Sequence, residues 1–223
     1  MSEEHRKGLA PEDSGALVVE TVTSFWDRFG RVVLGVVVAV IALGAIAYFT
    51  MQANERKNNA AAEKLAEANA LFWNGDYDRS QTVAADVVKL YGDTPNGNDA
   101  RRVAGDAFYW KGKWKEAIEQ YKAYLGKQGT GIVAQSVRRS LAYAYESDKQ
   151  YAEAGKLYDG LVGVFERESS GEMLAASARC LEAANNKPEA AKRLQRLLDE
   201  FGDTSYANRA RVKLAELQAP AAN

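Results

Sequence analysis

Cysteine, histidine and proline are nearly missing from this 223-residue chain, and each scarcity removes a class of chemistry. The one cysteine, Cys180, rules out an intramolecular disulfide and any CxxC metal site. Its setting, Ala-Ala-Ser-Ala-Arg-Cys-Leu, reads as a small buried helix residue, so the fold must stand on packing alone. The one histidine, His5, lies in a polar N-terminal tail, which excludes histidine triads and HExxH zinc sites. Neither GxGxxG nor GxxxxGK[ST] occurs, and the glycines fall at turns and helix contacts. Charge of one sign is also lacking: Lys plus Arg is 29 and Asp plus Glu is 30, so no basic field exists to hold a nucleic-acid backbone. Glu153, Glu166, Glu168, Glu189 and Glu200 are spaced as solvated helix faces. The chain therefore reads as no enzyme, with no metal, cofactor, nucleic-acid partner or small-molecule substrate; a paired-carboxylate site at a membrane surface is the remaining catalytic alternative. Four prolines amid abundant Ala, Leu, Glu and Lys favour helices joined by tight turns.

What is present begins with an uncharged run over residues 32–49, in which eleven of eighteen residues are Val, Leu, Ile or Phe. As a helix rising ~1.5 Å per residue it covers about 27 Å, close to the ~30 Å thickness of the hydrocarbon layer of a bilayer. It is apolar around its whole circumference, where a core helix would keep a polar stripe. Phe25, Trp26 and Phe29 precede it and Tyr48 and Phe49 close it, placing half-polar rings at headgroup depth. Residues 1–31 are expected to form a cytoplasmic tail, with an amphipathic helix over 17–27 along the membrane surface. Residues 32–51 are the transmembrane helix and 52–59 a helical stalk. Arg28 and Arg31 stand upstream, but Arg56, Lys57 and Lys64 balance them downstream. Orientation rests instead on the shortness of the tail, because a long domain crosses largely regardless of its charges. Cleavage after Ala47, within the small-x-small sequence Ala45-Ile46-Ala47, is the alternative; the tail's four basic and six acidic residues are unlike a short basic leader.

Beyond residue 60 the helical period dominates and the punctuation recurs. Asn74-Gly75-Asp76-Tyr77, Lys111-Gly112-Lys113-Trp114, Asp148-Lys149-Gln150-Tyr151 and Asn185-Asn186-Lys187-Pro188 end at positions 37 apart. A constant interval of that size marks stacked helical hairpins. Gly105, Phe108, Trp114, Ala117 and Tyr121 in one hairpin, and Ala142, Tyr145, Tyr151, Ala154 and Tyr158 in the next, resemble the tetratricopeptide repeat family. The first hairpin has Ala68, Leu71 and Tyr77 but Ser80 where alanine is usual. The fourth has Pro188 and Ala191 but places Arg179 and Glu182 where a small residue and an aromatic belong, and Phe201-Gly202-Asp203-Thr204 follows Tyr91-Gly92-Asp93-Thr94 by 110, three periods less one. A one-residue slip in the fourth hairpin accounts for both. Gly92 and Gly202 are expected to end their helices in left-handed caps, and Thr94 with Pro95 to start the next.

The resemblance implies an all-α chain: a transmembrane helix, then a tetratricopeptide-type solenoid over 60–218 of about four repeats plus a capping helix from Tyr206 to Gln218. Residues 219–223 are expected to be disordered. It also implies a binding groove on the first helices of the hairpins: Leu65, Asn69, Phe72 and Trp73; Arg102, Asp106, Tyr109 and Trp110; Arg139, Tyr143 and Glu146. The groove has no two-Lys, two-Asn clamp for a terminal carboxylate. In layout the chain resembles the ancillary SecYEG translocon subunit family of bacteria. That implies a single-pass scaffold in the cytoplasmic membrane with its repeats outside, binding chaperones, the translocon or exported chains. An envelope-assembly or division scaffold is the alternative.

Overall fold

A computed structural model describes residues 14–219, with side chains from residue 19 onward. The expectations placed on residues 1–13, including His5, and on residues 220–223 lie outside these. Among the described residues there are nine helices and no strands: α1 (Ser14–Trp73), α2 (Tyr77–Tyr91), α3 (Pro95–Trp110), α4 (Trp114–Lys127), α5 (Gly131–Ser147), α6 (Tyr151–Leu161), α7 (Arg167–Ala183), α8 (Lys187–Phe201) and α9 (Ala207–Gln218). Two compact units divide after Glu55, and α1 contributes to both.

In the first unit, residues 17–27 are helical and run without a break into residues 32–49. Among the described residues its apolar window is not buried, with Val32, Leu34, Ile41, Leu43 and Phe49 all exposed. This is the one helix among the described residues long and apolar enough to cross a membrane.

In the second unit, the end of α1 pairs with α2, α3 with α4, α5 with α6 and α7 with α8, while α9 closes the stack. The turns inside the hairpins are copies of one another. Asp76, Lys113, Gln150 and Asn186 donate their N–H groups to the carbonyls of Leu71, Phe108, Tyr145 and Leu181. The residue before each lies in the left-handed region: Gly75 (φ 79°), Gly112 (70°), Lys149 (63°) and Asn185 (61°). That is the Schellman arrangement, which satisfies the last carbonyls of the first helix. The fourth copy comes 36 residues after the third, so the slip is seen in the backbone itself. It follows the shortest of these helices, α6, which stops after 11 residues at Leu161.

The expectation for Gly92 and Gly202 fails. Both sit in right-handed conformation, φ −64° and −66°. Their value is space: a Cβ would meet the Val88 carbonyl in one case and the Leu198 carbonyl, at 2.5 Å, in the other. The next helix starts as expected, with Thr94 Oγ1 accepting from the Gly97 N–H at 3.0 Å and Pro95 in the first turn.

Four apolar clusters form the core, each drawn from consecutive helices. Neighbouring clusters share α3, α5 or α7. Close approach within a hairpin depends on small residues. A Cβ on Gly105 would lie 2.6 Å from the Tyr121 ring, while Ala142 packs with Tyr158 and Ala178 with Leu194. With the slip applied, Ala178, Leu181, Lys187, Ala190 and Leu194 repeat the places of Ala142, Tyr145, Tyr151, Ala154 and Tyr158. Ser80 keeps its buried hydroxyl satisfied by donating to the Ala68 carbonyl at 2.8 Å.

Two outcomes are expected in urea unfolding. Ala142→Leu should destabilise the repeats by about 1–3 kcal/mol through overpacking. Lys149→Gly should stabilise them by about 1 kcal/mol, because the left-handed conformation burdens a residue with a Cβ and not glycine.

Candidate functional site

The first helix of each hairpin buries one side in its own hairpin and another against a neighbour, leaving a third strip open. On the N-terminal part of this strip a hollow of about 900 Å³ spans the end of α1, the second half of α3 and the middle of α5. Asn69, Phe72, Trp73, Arg102, Asp106, Trp110 and Arg139 line it, joined by Tyr77, Ser136 and Ser140.

Its wall is aromatic. Trp73 meets Phe72 edge-on at 5.3 Å, Phe72 lies 5.4 Å from Tyr77, and Tyr77 stacks on Trp110 at 6.1 Å and 13°. Trp73 is 80% and Trp110 62% exposed, unusual for the largest apolar side chain. Its floor is polar. Arg102 pairs with Asp99 at 2.9 Å and Asp106 at 3.3 Å, and Tyr121 donates its hydroxyl to Asp106 at 2.7 Å. Burial pushes the Asp106 carboxyl and the Tyr121 hydroxyl above their ordinary values. Arg139 is different: its guanidinium lies 4.8 Å over the Phe165 ring and makes no ion pair within 4 Å among the described residues, although Glu166 lies near enough to feel its charge.

The remaining expected groove residues lie elsewhere. Leu65 is 6% exposed and belongs to the core between α1, α2 and α3, one helical turn below Asn69. Tyr109 packs on the α4–α5 core. Tyr143 donates to Glu172 at 2.7 Å, tying α5 to α7. Glu146 accepts from Arg179 at 2.6 and 2.9 Å and from Tyr158 at 2.8 Å. These side chains hold the strip together and do not line the hollow.

The strip continues over α7 and α9 as a second hollow of about 510 Å³, with Arg179, Glu182, Arg209 and Lys213 above an alanine- and leucine-lined floor. Lys213 pairs with Glu182 at 2.8 Å. Sequence reasoning assigned no groove positions here, although counting 36 instead of 37 from Tyr143 and Glu146 leads to Arg179 and Glu182. Tyr77 was missed too; its signal is the aromatic that opens α2, α4 and α6 alike.

No His, Cys, Asp or Glu cluster among the described residues could hold a metal ion. Cys180 is fully buried, and burial foremost, with the Glu146 charge second, pushes its thiol up to about 12.

Residues 65–132 match a tetratricopeptide repeat profile, and residues 176–204 match a second profile of the same description. A comparison with curated proteins finds no match. Among solved structures, nearly identical TPR-like repeats from Podosopora anserina superpose with a TM-score of 0.57 at 19% identity, over 70% of this chain and 83% of that one. A tetratricopeptide repeat protein from Parabacteroides merdae superposes with a TM-score of 0.60 at 15% identity, over 72% of this chain and 60% of that one. At such identities the likeness is one of fold.

Burial raises the Glu146 carboxyl, but hydrogen bonds from Arg179 and Tyr158 outweigh it and hold the group below its ordinary 4.5. A depressed folded pKa contributes stability above the unfolded value that is lost as pH falls through the folded one. Glu146→Gln should therefore cost about 1–2 kcal/mol at pH 7. The difference from the parent should shrink as pH falls below 4.5 and close once the folded Glu146 carboxyl has taken up its proton, read in parallel denaturation series.

Proposed function

From a chain built of tetratricopeptide repeats, which bind proteins or peptides, we propose a membrane-held scaffold that takes a segment of a partner protein into its N-terminal hollow. The observation that carries this reading is the exposure of Trp73 and Trp110 beside a 900 Å³ hollow. Rings of that size bury about 150–250 Å² each and dominate binding surfaces when a partner covers them.

Anchoring is supported by α1, whose uncovered apolar window has a mean hydropathy of 2.8. An aqueous domain gains nothing from displaying such a window, whereas a bilayer stabilises it. We assign residues 32–51 to the membrane, the N-terminal tail to the cytoplasm and the repeats to the outer side of a bacterial cytoplasmic membrane. This layout favours a helper at the Sec translocon that receives chaperones or exported chains. Leu65, Tyr109, Tyr143 and Glu146 support the groove from behind, and the residues lining the hollow make the contact.

Two measurements on the full-length protein test this. It should stay with membranes in alkaline carbonate and keep the mass of its intact N-terminus; a soluble form beginning after Ala47 would overturn the anchor. A photo-crosslinking residue at position 110 should capture translocon subunits, chaperones or exported chains, and capture should fall when Trp73 is replaced by alanine. Capture of outer-membrane assembly or division proteins would move the scaffold to those processes. Capture indifferent to Trp73 would remove the groove from the mechanism.

A further inference from the structure

Resting on the membrane anchor assigned above, we propose that α1 pairs in parallel with α1 of a second copy of this chain. The seam is an apolar stripe that starts at Val22, Phe25 and Phe29, outside the bilayer, and continues through the span to Ile46.

The outer part of this stripe has nothing to cover it. Val19, Val22, Phe25, Trp26 and Phe29 fall within about 120° of the helix circumference, and Glu20, Ser24, Asp27, Arg28 and Arg31 fall outside that arc. The five apolar side chains are between 42 and 63% exposed. A helix that crosses the bilayer can also lie along it only by breaking, and α1 runs unbroken from Ser14 to Trp73. It contains no proline, and Gly30, the one glycine between stripe and span, is covered by the Trp26 ring, whose Nε1 is 3.2 Å from where a Cβ would sit.

Depth then follows from the rise of the helix. Asp27, Arg28 and Arg31 keep the span from sliding towards the tail, because each is costly in hydrocarbon. With the hydrocarbon edge at Val32, a rise of ~1.5 Å per residue puts Phe29 among the headgroups, Phe25 about 10 Å out, Val22 about 15 Å and Val19 about 20 Å. The headgroup layer is only about 5–8 Å deep. Most of the stripe therefore stands in water. The polar face does not favour lipid either: helices that bed on a membrane surface carry excess Lys and Arg there, whereas Glu20 and Asp27 balance Arg28 and Arg31.

A second copy supplies the cover. Copies anchored in one membrane point the same way, so each stripe residue meets its own equivalent at the same depth. Positions 22, 25, 29, 32, 36, 39, 43 and 46 alternate steps of three and four, which is the spacing of a parallel coiled coil carried from the aqueous extension into the span. Ala39, within the span, lets the two backbones approach. Arg28, whose guanidinium lies 5.5 Å from the Phe29 ring, flanks the seam opposite the uncharged Val33 of the other copy, so like charges do not meet. Phe25, Trp26 and Phe29, each about half exposed, offer roughly 300 Å² per copy. The aliphatic seam residues carry the total to the scale of a stable interface, about 800 Å² per partner.

The test is disulfide scanning of the full-length protein in isolated membranes. Val22→Cys, Phe25→Cys and Phe29→Cys probe the seam, and Glu20→Cys, Ser24→Cys and Asp27→Cys the opposite face, with the fully buried Cys180 left unchanged. After mild oxidation the seam positions should give at least about fivefold more linked dimer, because a bridge forms only where Cα atoms come within about 7 Å. Val22→Asp/Phe25→Asp should abolish the link from Phe29→Cys and reduce the detergent-solubilised mass from twice the 24.4 kDa chain to one, with the variant still in carbonate-washed membranes. A dimer that survives both aspartates would overturn the stripe as its seam. Equal linking at all positions, no linking, or a mixed disulfide with another polypeptide, the protein remaining in the membrane, would overturn the pairing and leave the anchor intact. Recovery of the parent protein in the soluble fraction would overturn both.

Discussion

Each inner helix of the stack has to serve two cores, and that double duty governs what the rest of the chain can do. α3, α5 and α7 each bury one side within a hairpin and another against its neighbour. A helix pinned on two sides can approach its partners only where a side chain is missing or minimal, hence Gly105 under the Tyr121 ring and Ala142 beside Tyr158. The same geometry leaves one narrow strip per helix without a packing role. Successive strips align, and the only free surface of the most buried helices becomes a continuous lane.

That lane is used unequally along its length. From Tyr143 onward several of its polar groups are spent on one another: Tyr143 with Glu172, Glu146 with Arg179, Glu182 with Lys213. Such partly exposed pairs add little stability individually, but they fix how one hairpin sits on the next and consume the groups a ligand would need. Over α1 and α3 the positions are Trp73 and Trp110, with no built-in partner large enough to cover them. The stack is thus stitched at one end and receptive at the other.

Much of this was legible beforehand because one signal is a repeat and the other a long uncharged run. The 37-residue turn spacing fixed where helices stop, and an unbroken apolar circumference marked residues 32–49. What escaped notice depended on phase or on third-party contacts. The one-residue slip was legible in the 110-residue echo, but its consequence was not drawn: it moves Arg179 and Glu182 from apparent core places to the open strip, as the backbone hydrogen bonds of Ala184, Asn185 and Asn186 show. Leu65 shares the face of Asn69 and Phe72 but lies a turn further from the hollow, inside the core of α1, α2 and α3, and Tyr109 packs on the α4–α5 core. Glu146 occupies a strip position but is claimed by Arg179 and Tyr158 from other helices, which no local pattern announces. Gly92 and Gly202 mislead for another reason: glycine in a turn commonly signals a positive φ, and here it signals a carbonyl too near to admit a methyl group.

The buried thiol has a practical corollary. Reaction with a maleimide or a disulfide reagent needs both access and thiolate, and Cys180 offers neither, being sealed by α5 and α6 with its proton firmly held. A second cysteine placed at an exposed position would carry a fluorophore or spin label alone, with the native residue left in place. Distances along the stack could then be followed in the unaltered interior, without first carving out the sulfur that helps fill it.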